Sequence, residues 1–204
     1  MGPGARERMR AIPSVLLLLG VLVTMGTPTG GRAADIDAGR RKAEVCAACH
    51  GPDGRSTNPA IPSLAGQPTL YTHWQLILFR DGRRKDPQMT PVAAPLSEAD
   101  IEDLAAYFAA RPPAPPRGTV DPATAEAGRR LVGVHHCDSC HRPRLDGQNQ
   151  IPRIAAQHYE YLLNQLRGFK AQTRGELEGT MTSAARPLSD EEIEIVARYI
   201  ASLP

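Results

Sequence analysis

The sequence predicts an all-α protein in which one helical module is written twice. Three observations carry that prediction. Apolar residues fall at helical spacing behind matched capping residues, strand-type alternation is evident nowhere, and a set of residues recurs at an offset of 89 to 92 positions.

The repeat runs through most of the chain. Gly39-Arg40-Arg41 matches Gly128-Arg129-Arg130, and Ile61-Pro62-x-Leu64-Ala65-x-Gln67 matches Ile151-Pro152-x-Ile154-Ala155-x-Gln157. Tyr71, Gln75, Leu76 and Phe79 match Tyr161, Gln165, Leu166 and Phe169, and Met89 matches Met181. Pro95-Leu96-Ser97 and its mate Pro187-Leu188-Ser189 close the series. So constant an offset leaves room only for tiny insertions, and the two copies are expected to share a fold.

Each copy reads as three main helices. The first covers about 36–45, and in the second copy Asp121 and Pro122 supply an N-cap and a first-turn proline for a helix over 123–134. The middle helices are expected over 70–80 and 158–170. The last are the clearest: Ser97-Glu98-Ala99-Asp100 and Ser189-Asp190-Glu191-Glu192 are capping boxes. Ile101, Leu104, Ala105, Phe108 and Ile193, Val196, Ala197, Ile200 then follow the i, i+3, i+4, i+7 stripe. Between the copies, four prolines in Arg111–Gly118 favour an extended, semi-rigid spacer. The chain therefore divides into a leader at 1–33, an N-terminal module at 34–111, a linker at 112–119 and a C-terminal module at 120–204.

The leader carries Arg6, Arg8 and Arg10, an apolar run from Ile12 to about Val23, and small residues through Ala33 and Ala34. That order is the secretory signal pattern, with cleavage expected after Ala33, and the run is short for a membrane anchor. Loss of the leader turns the formal charge of +2 slightly acidic, which gives nucleic-acid binding no electrostatic support. The cluster Arg83-Arg84-Lys85 is a local exception, read as a solvated loop or as a docking patch for an acidic redox partner.

All four cysteines sit in two motifs, Cys46-Ala47-Ala48-Cys49-His50 and Cys137-Asp138-Ser139-Cys140-His141. C-x-x-C-H is the attachment pattern for haem c: two thiols bond the vinyl groups and the histidine reaches the iron. A zinc ribbon wants its cysteine pairs about 15 to 20 residues apart, whereas these lie 91 apart. A dithiol redox pair needs no histidine after its second cysteine. Export agrees with haem attachment, since free thiols outside the cytoplasm tend to be oxidised.

His50 and His141 supply one axial ligand each. Beyond the leader the chain has only Met89 and Met181, which lie 39 and 40 residues after those histidines, in segments expected to be polar loops. They are the candidate second ligands, and a thioether ligand favours ferrous iron. Iron closed on both faces passes electrons and leaves no open position for oxygen or peroxide, which argues against a dihaem peroxidase. Pro62 and Pro152 either accept the other ring N–H of each histidine through their carbonyls or simply shape the loop. His73, His135, His136 and His158 lack counterparts in the other copy, and surface or packing roles are expected for them; Trp74, also unmatched, is expected to pack rather than to carry electrons. With aromatic residues at 4%, neither module has much core of its own, so folding is expected to depend on a buried macrocycle.

These motifs, with the Pro62–Gln67 segment, the paired methionines and the helix starts after Ser97 and Ser189, resemble the dihaem cytochromes c of the cytochrome c4 type, built from two class I cytochrome c domains. The resemblance implies a periplasmic electron carrier, soluble or peripherally associated with the membrane, often serving a terminal oxidase. It also implies two His/Met haems facing each other across a domain interface, and places Gly39 and Gly128 where the first helix crosses the last, near Tyr107 and Tyr199. The second copy departs at Ala156, where the first has Gly66, and by two extra residues before Cys137. The expected partners are a quinol-oxidising complex and a terminal oxidase or reductase. The rival reading is the cytochrome subunit of a redox enzyme complex, such as a sulfide-oxidising flavocytochrome.

Overall fold

Helix α1 (Ile36–Lys42) starts at Asp35, whose carboxylate accepts hydrogen bonds from the N–H groups of Asp37 and Ala38. It stops at Ala43, and α2 (Glu44–His50) follows at once. The expected single helix is therefore broken one turn ahead of the motif. The computed structural model describes residues 1–2 and 33–204, and the leader expected at 1–33 lies almost wholly outside the described residues.

The rest of the first half comprises α3 (Thr69–Arg80), α4 (Met89–Ala93) and α5 (Glu98–Ala109). The second half repeats the plan with α6 (Pro122–Val134), α7 (Cys137–His141), α8 (Tyr159–Lys170), α9 (Thr180–Ala185) and α10 (Asp190–Ser202). Among the described residues there is no strand, only an isolated bridge between Gln148 and Ile151. Apart from the broken first helix, the main helices fall within a residue or two of their expected bounds. Both capping boxes form, with Ser97 and Ser189 each accepting from the N–H three residues on while Asp100 and Glu192 reach back. The methionine segments depart from expectation, since each is a short helix rather than a loop.

In each half the first helix packs on the last: α1 on α5 and α6 on α10. Glycine makes the approach possible. A Cβ on Gly39 would stand 2.1 Å from the Asp103 carbonyl oxygen and 2.8 Å from Tyr107 Cβ, and one on Gly128 would stand 2.3 Å from Tyr199 Cβ. α3 and α8 lie against α5 and α10 in turn. The cores are small, with Ala43, Leu104, Tyr107 and Phe108 in the first half. In the second, Leu131, Leu145, Leu162, Val196 and Ile200 form one cluster and Phe169, Leu188 and Ile193 another.

The segment between the halves is not a free-standing spacer. Ala114 is buried, Arg55 Nε donates to the Pro112 carbonyl, the Arg117 N–H donates to the Ala201 carbonyl, and Arg117 Nη2 donates to Ser56 O at 2.8 Å and Ser63 Oγ at 2.9 Å. It is a strap tied to both halves. Trp74, expected to pack, is exposed. His73 and His135 face the carboxylates of Glu98 and Glu192, and His158 Nε2 lies 3.0 Å from the Ser56 carbonyl, so these three take the surface and packing roles expected.

Candidate haem-binding sites

Positions i, i+3 and i+4 of a helix share a face. α2 therefore presents Cys46, Cys49 and His50 to one side, and α7 does the same with Cys137, Cys140 and His141. All four thiols are free; Cys49 and Cys140 are exposed, and burial pushes the half-buried Cys46 and Cys137 thiols up. Among the described residues no three Cys, His, Asp or Glu side chains converge on a metal position, so the thiol pairs do not form one tetrahedral cage.

The imidazoles are the best-defined groups of the two sites. His50 is 6% exposed and His141 5%. Their Nδ1 atoms lie 2.8 Å from the carbonyl oxygens of Pro62 and Pro152 respectively. A carbonyl can only accept, so each Nδ1 carries the proton and each Nε2 keeps its lone pair. Burial moves both imidazoles below their ordinary pKa, with the carbonyl contact opposing it, so the rings are neutral at pH 7 and ready to bind a Lewis acid. Of the two roles open to the prolines, the acceptor role is realised in both halves.

Met89 opens α4, half-buried, and its N–H donates to Asp86 Oδ1 at 2.9 Å. Met181 sits second in α9, packed near Phe169 and Leu188, and its N–H donates to Glu176 Oε2 at 2.9 Å. Asp86 and Glu176 fix the methionine segments from equivalent places in the repeat. Sequence reading passed over them, although the repeat offset would have paired them. α2 packs on α1, while α4 packs on α3, so the histidine and the methionine of the first half belong to separate packing pairs.

The halves meet through side chains that answer one another. Gln157 Oε1 accepts from the Ser63 N–H at 2.9 Å, and its Nε2 donates to the Ser63 carbonyl at 2.9 Å. Gln67 does the same to Arg153, accepting at 3.1 Å and donating at 2.8 Å. Arg84 Nη2 donates to Tyr161 Oη and Gln165 Oε1, both at 3.1 Å, and Arg174 Nη2 lies 3.5 Å from Tyr71 Oη. Each guanidinium also stacks on a ring of its own half, Arg84 on Phe79 and Arg174 on Phe169. Residue i meeting j′ while j meets i′ is the signature of a two-fold joint, here an approximate one within a single chain. Arg84, expected in a solvated loop, is 9% exposed. Only its neighbours Arg83 and Lys85 are exposed as charge alone suggests.

Residues 36–110 and 125–204 each match the model of the cytochrome c family. The chain is 41% identical over 184 residues to cytochrome c4 of Thiocapsa roseopersicina, covering 84% of this chain and 94% of that protein. The chain belongs to the cytochrome c family, within its cytochrome c4 group. A reduced recombinant cytochrome c4 from Pseudomonas stutzeri shares the fold, with a TM-score of 0.78 and 34% identity over 84% of this chain and 100% of that one. The thiosulfate dehydrogenase electron acceptor of Thiomonas intermedia is 32% identical over 195 residues, 90% of this chain and 89% of that protein. As a cytochrome c4, the chain is a dihaem electron carrier with two covalently attached haem c groups rather than an enzyme.

The residues fit that cofactor on two counts. Each half offers a helix face with two free thiols beside a buried imidazole whose Nε2 lone pair is free. The joint also holds two guanidiniums, Arg84 and Arg174, with no carboxylate in ion-pair range among the described residues; the Nε of Arg174 lacks a hydrogen-bond partner, and burial and the nearby Arg84 pull its pKa down. One buried and one half-buried cation so placed can be balanced by an anion, which haem propionates can provide.

Proposed function

We propose that this cytochrome carries single electrons between redox partners outside the cytoplasm, with one haem bonded to Cys46 and Cys49 and the other to Cys137 and Cys140. His50 and Met89 would ligate the first iron, His141 and Met181 the second. When bound, haem supplies one-electron Fe(III)/Fe(II) chemistry. The protein's part is to close both faces of the iron, exclude water and hold each imidazole in the tautomer that leaves Nε2 free. The observation that carries the assignment is the repetition of one arrangement: C-x-x-C-H on a helix, imidazole buried, Nδ1 held by a proline carbonyl, and a methionine at the start of a short acid-anchored helix.

The same reading gives modules at 34–111 and 120–204, a strap at 112–119 and a signal peptide at 1–33 that sends the chain to the periplasm. Among the described residues no helix is long and apolar enough to cross a membrane. The donor would be a quinol-oxidising complex and the acceptor a terminal oxidase or reductase, with peripheral association at the membrane surface. The assignment is tested by a pyridine haemochrome assay with intact mass. Two covalent haems per chain are expected, with impaired maturation of the affected half in Cys46→Ser or Cys137→Ser, and one haem when both cysteines of a motif are changed to Ser; two retained in such a double variant overturns the attachment residues.

A second reading is favoured by the similarity to a thiosulfate dehydrogenase electron acceptor: the chain would receive electrons from a sulfur-oxidising enzyme, as a partner or as its cytochrome subunit, in the way a flavocytochrome carries one. Purification from the native periplasm decides between the two, since a catalytic subunit co-eluting in fixed ratio supports the second.

A further inference from the structure

The two glutamines that join the halves do more than hold them together. The Pro62–Ser63 peptide accepts from His50 Nδ1 on its oxygen and donates its N–H to Gln157 Oε1. The Pro152–Arg153 peptide is engaged the same way, by His141 on one side and by Gln67 Oε1 on the other. Each peptide unit is thus the middle link of a hydrogen-bond chain running from a histidine in one half to a glutamine in the other. The partners lie 94 and 86 residues apart in sequence. Ser63, Gln67 and Gln157 are all about 5% exposed, so water competes little for these bonds.

A peptide whose N–H donates becomes a better acceptor at its oxygen, because hydrogen bonds in series polarise one another, the more so in a low local dielectric. A stronger acceptor for Nδ1–H makes the imidazole a more basic metal ligand. We infer that Gln157 sets the reduction potential of the haem held by His50, and Gln67 that of the haem held by His141, each acting in trans as a positioning residue through the proline peptide. This rests on the assignment of the two histidines as axial ligands. The sign follows: an intact clasp raises histidine basicity and favours ferric iron, so removing it should raise the potential of the haem in the opposite half.

The test is a redox titration of the intact dihaem protein, following the haem-methyl resonances of each half separately, alongside NMR of labelled histidine. Gln157→Leu should shift the His50 haem toward the reduced form by a factor of about two to five in its equilibrium constant, roughly 20–40 mV at 59 mV per tenfold, and leave the His141 haem nearly unmoved. Gln67→Leu should do the reverse. The Nδ1–H resonance of the affected histidine should move in the same crossed pattern. Gln157→Glu keeps the size and strengthens the acceptor, so it should lower the His50 haem more than the other, and it covers the case in which the leucine variant does not mature. Arg117→Lys loosens a neighbouring contact to Ser63 Oγ while leaving the peptide N–H engaged, and should move neither potential. Equal shifts of both haems, no shift, or an Arg117→Lys effect as large as that of Gln157→Leu overturns the inference. A wild-type protein with both haems attached but no histidine nitrogen on iron would overturn the ligand assignment itself, which separates the two failures.

Discussion

At Met89 and Met181 the question is what closes the second face of each iron. Replacement of either by Ala should leave both haems attached, lower the potential of one, and let that ferrous iron bind carbon monoxide. Carbon monoxide difference spectra check this, and no binding in both variants removes the methionines as ligands. Gly39 and Gly128 pose a steric problem rather than a chemical one. An added methyl meets Asp103 backbone in one half and the Tyr199 side chain in the other at distances no real Cβ tolerates. Gly39→Ala and Gly128→Ala should each cost about 1–3 kcal/mol or more, read as a lower denaturant midpoint of the holoprotein. Ala156 shows the opposite accommodation. It adopts φ 59° where Gly66 adopts 71°, and its N–H donates to Ile200 O just as Gly66 N–H donates to Phe108 O. The departure noted in the sequence therefore changes strain and not path.

At the scale of elements, the last helix of each half is the one its sequence announces most plainly, and its start is a local chemical device. Ser97→Ala or Ser189→Ala should cost about 1 kcal/mol in equilibrium unfolding. Asp100 adds a pH dependence. Lys42 beside it, then the Ser97 hydroxyl and N–H, hold its carboxyl at about 2 against an ordinary 3.8. A lowered folded-state pKa contributes stability that is complete above the ordinary value and is lost as pH falls from there toward 2. Asp100→Asn should flatten the acid limb of stability in that window and leave neutral pH less stable, as denaturant midpoints above and below it would show. The first helix was harder to read. In the second half His135 ends α6, His136 takes a left-handed φ of 53° and α7 starts afresh, whereas the first half bridges the same interval through Ala43 alone. The two extra residues announced a difference without saying which copy would bend. Nor did the polar residues around the methionines reveal that short helices would form there with Asp86 and Glu176 accepting from their first-turn N–H groups.

For the whole molecule, what the sequence displayed was the inside of each half, and what it hid was the joint. Helical stripes, capping boxes and Cys-x-x-Cys-His spacing are patterns within about a dozen residues and need only the 3.6-residue turn to decode. Arg84 read as solvent-exposed because an arginine beside Arg83 and Lys85 has no local reason to be buried. Its reason, Tyr161 and Gln165, lies 77 and 81 residues on. Arg84→Leu would leave the half-buried Tyr161, Gln75 and Gln165 short of a donor, at up to about 1–3 kcal/mol for each acceptor that water does not reach. The expected result is a lower unfolding midpoint, with loss of coincidence between the two haem absorbance transitions as the halves uncouple; coincident, unshifted transitions would show that the joint does not depend on it.

That the Gln67 and Gln157 clasps mirror one another gives the joint a form of redundancy. Losing Gln67 leaves Gln157 at its post, so one injury weakens the union without undoing it, and the harm is uneven: one half keeps its original surroundings while the other is altered. A duplicated chain can in this way begin to tell its two copies apart by a single amino-acid change.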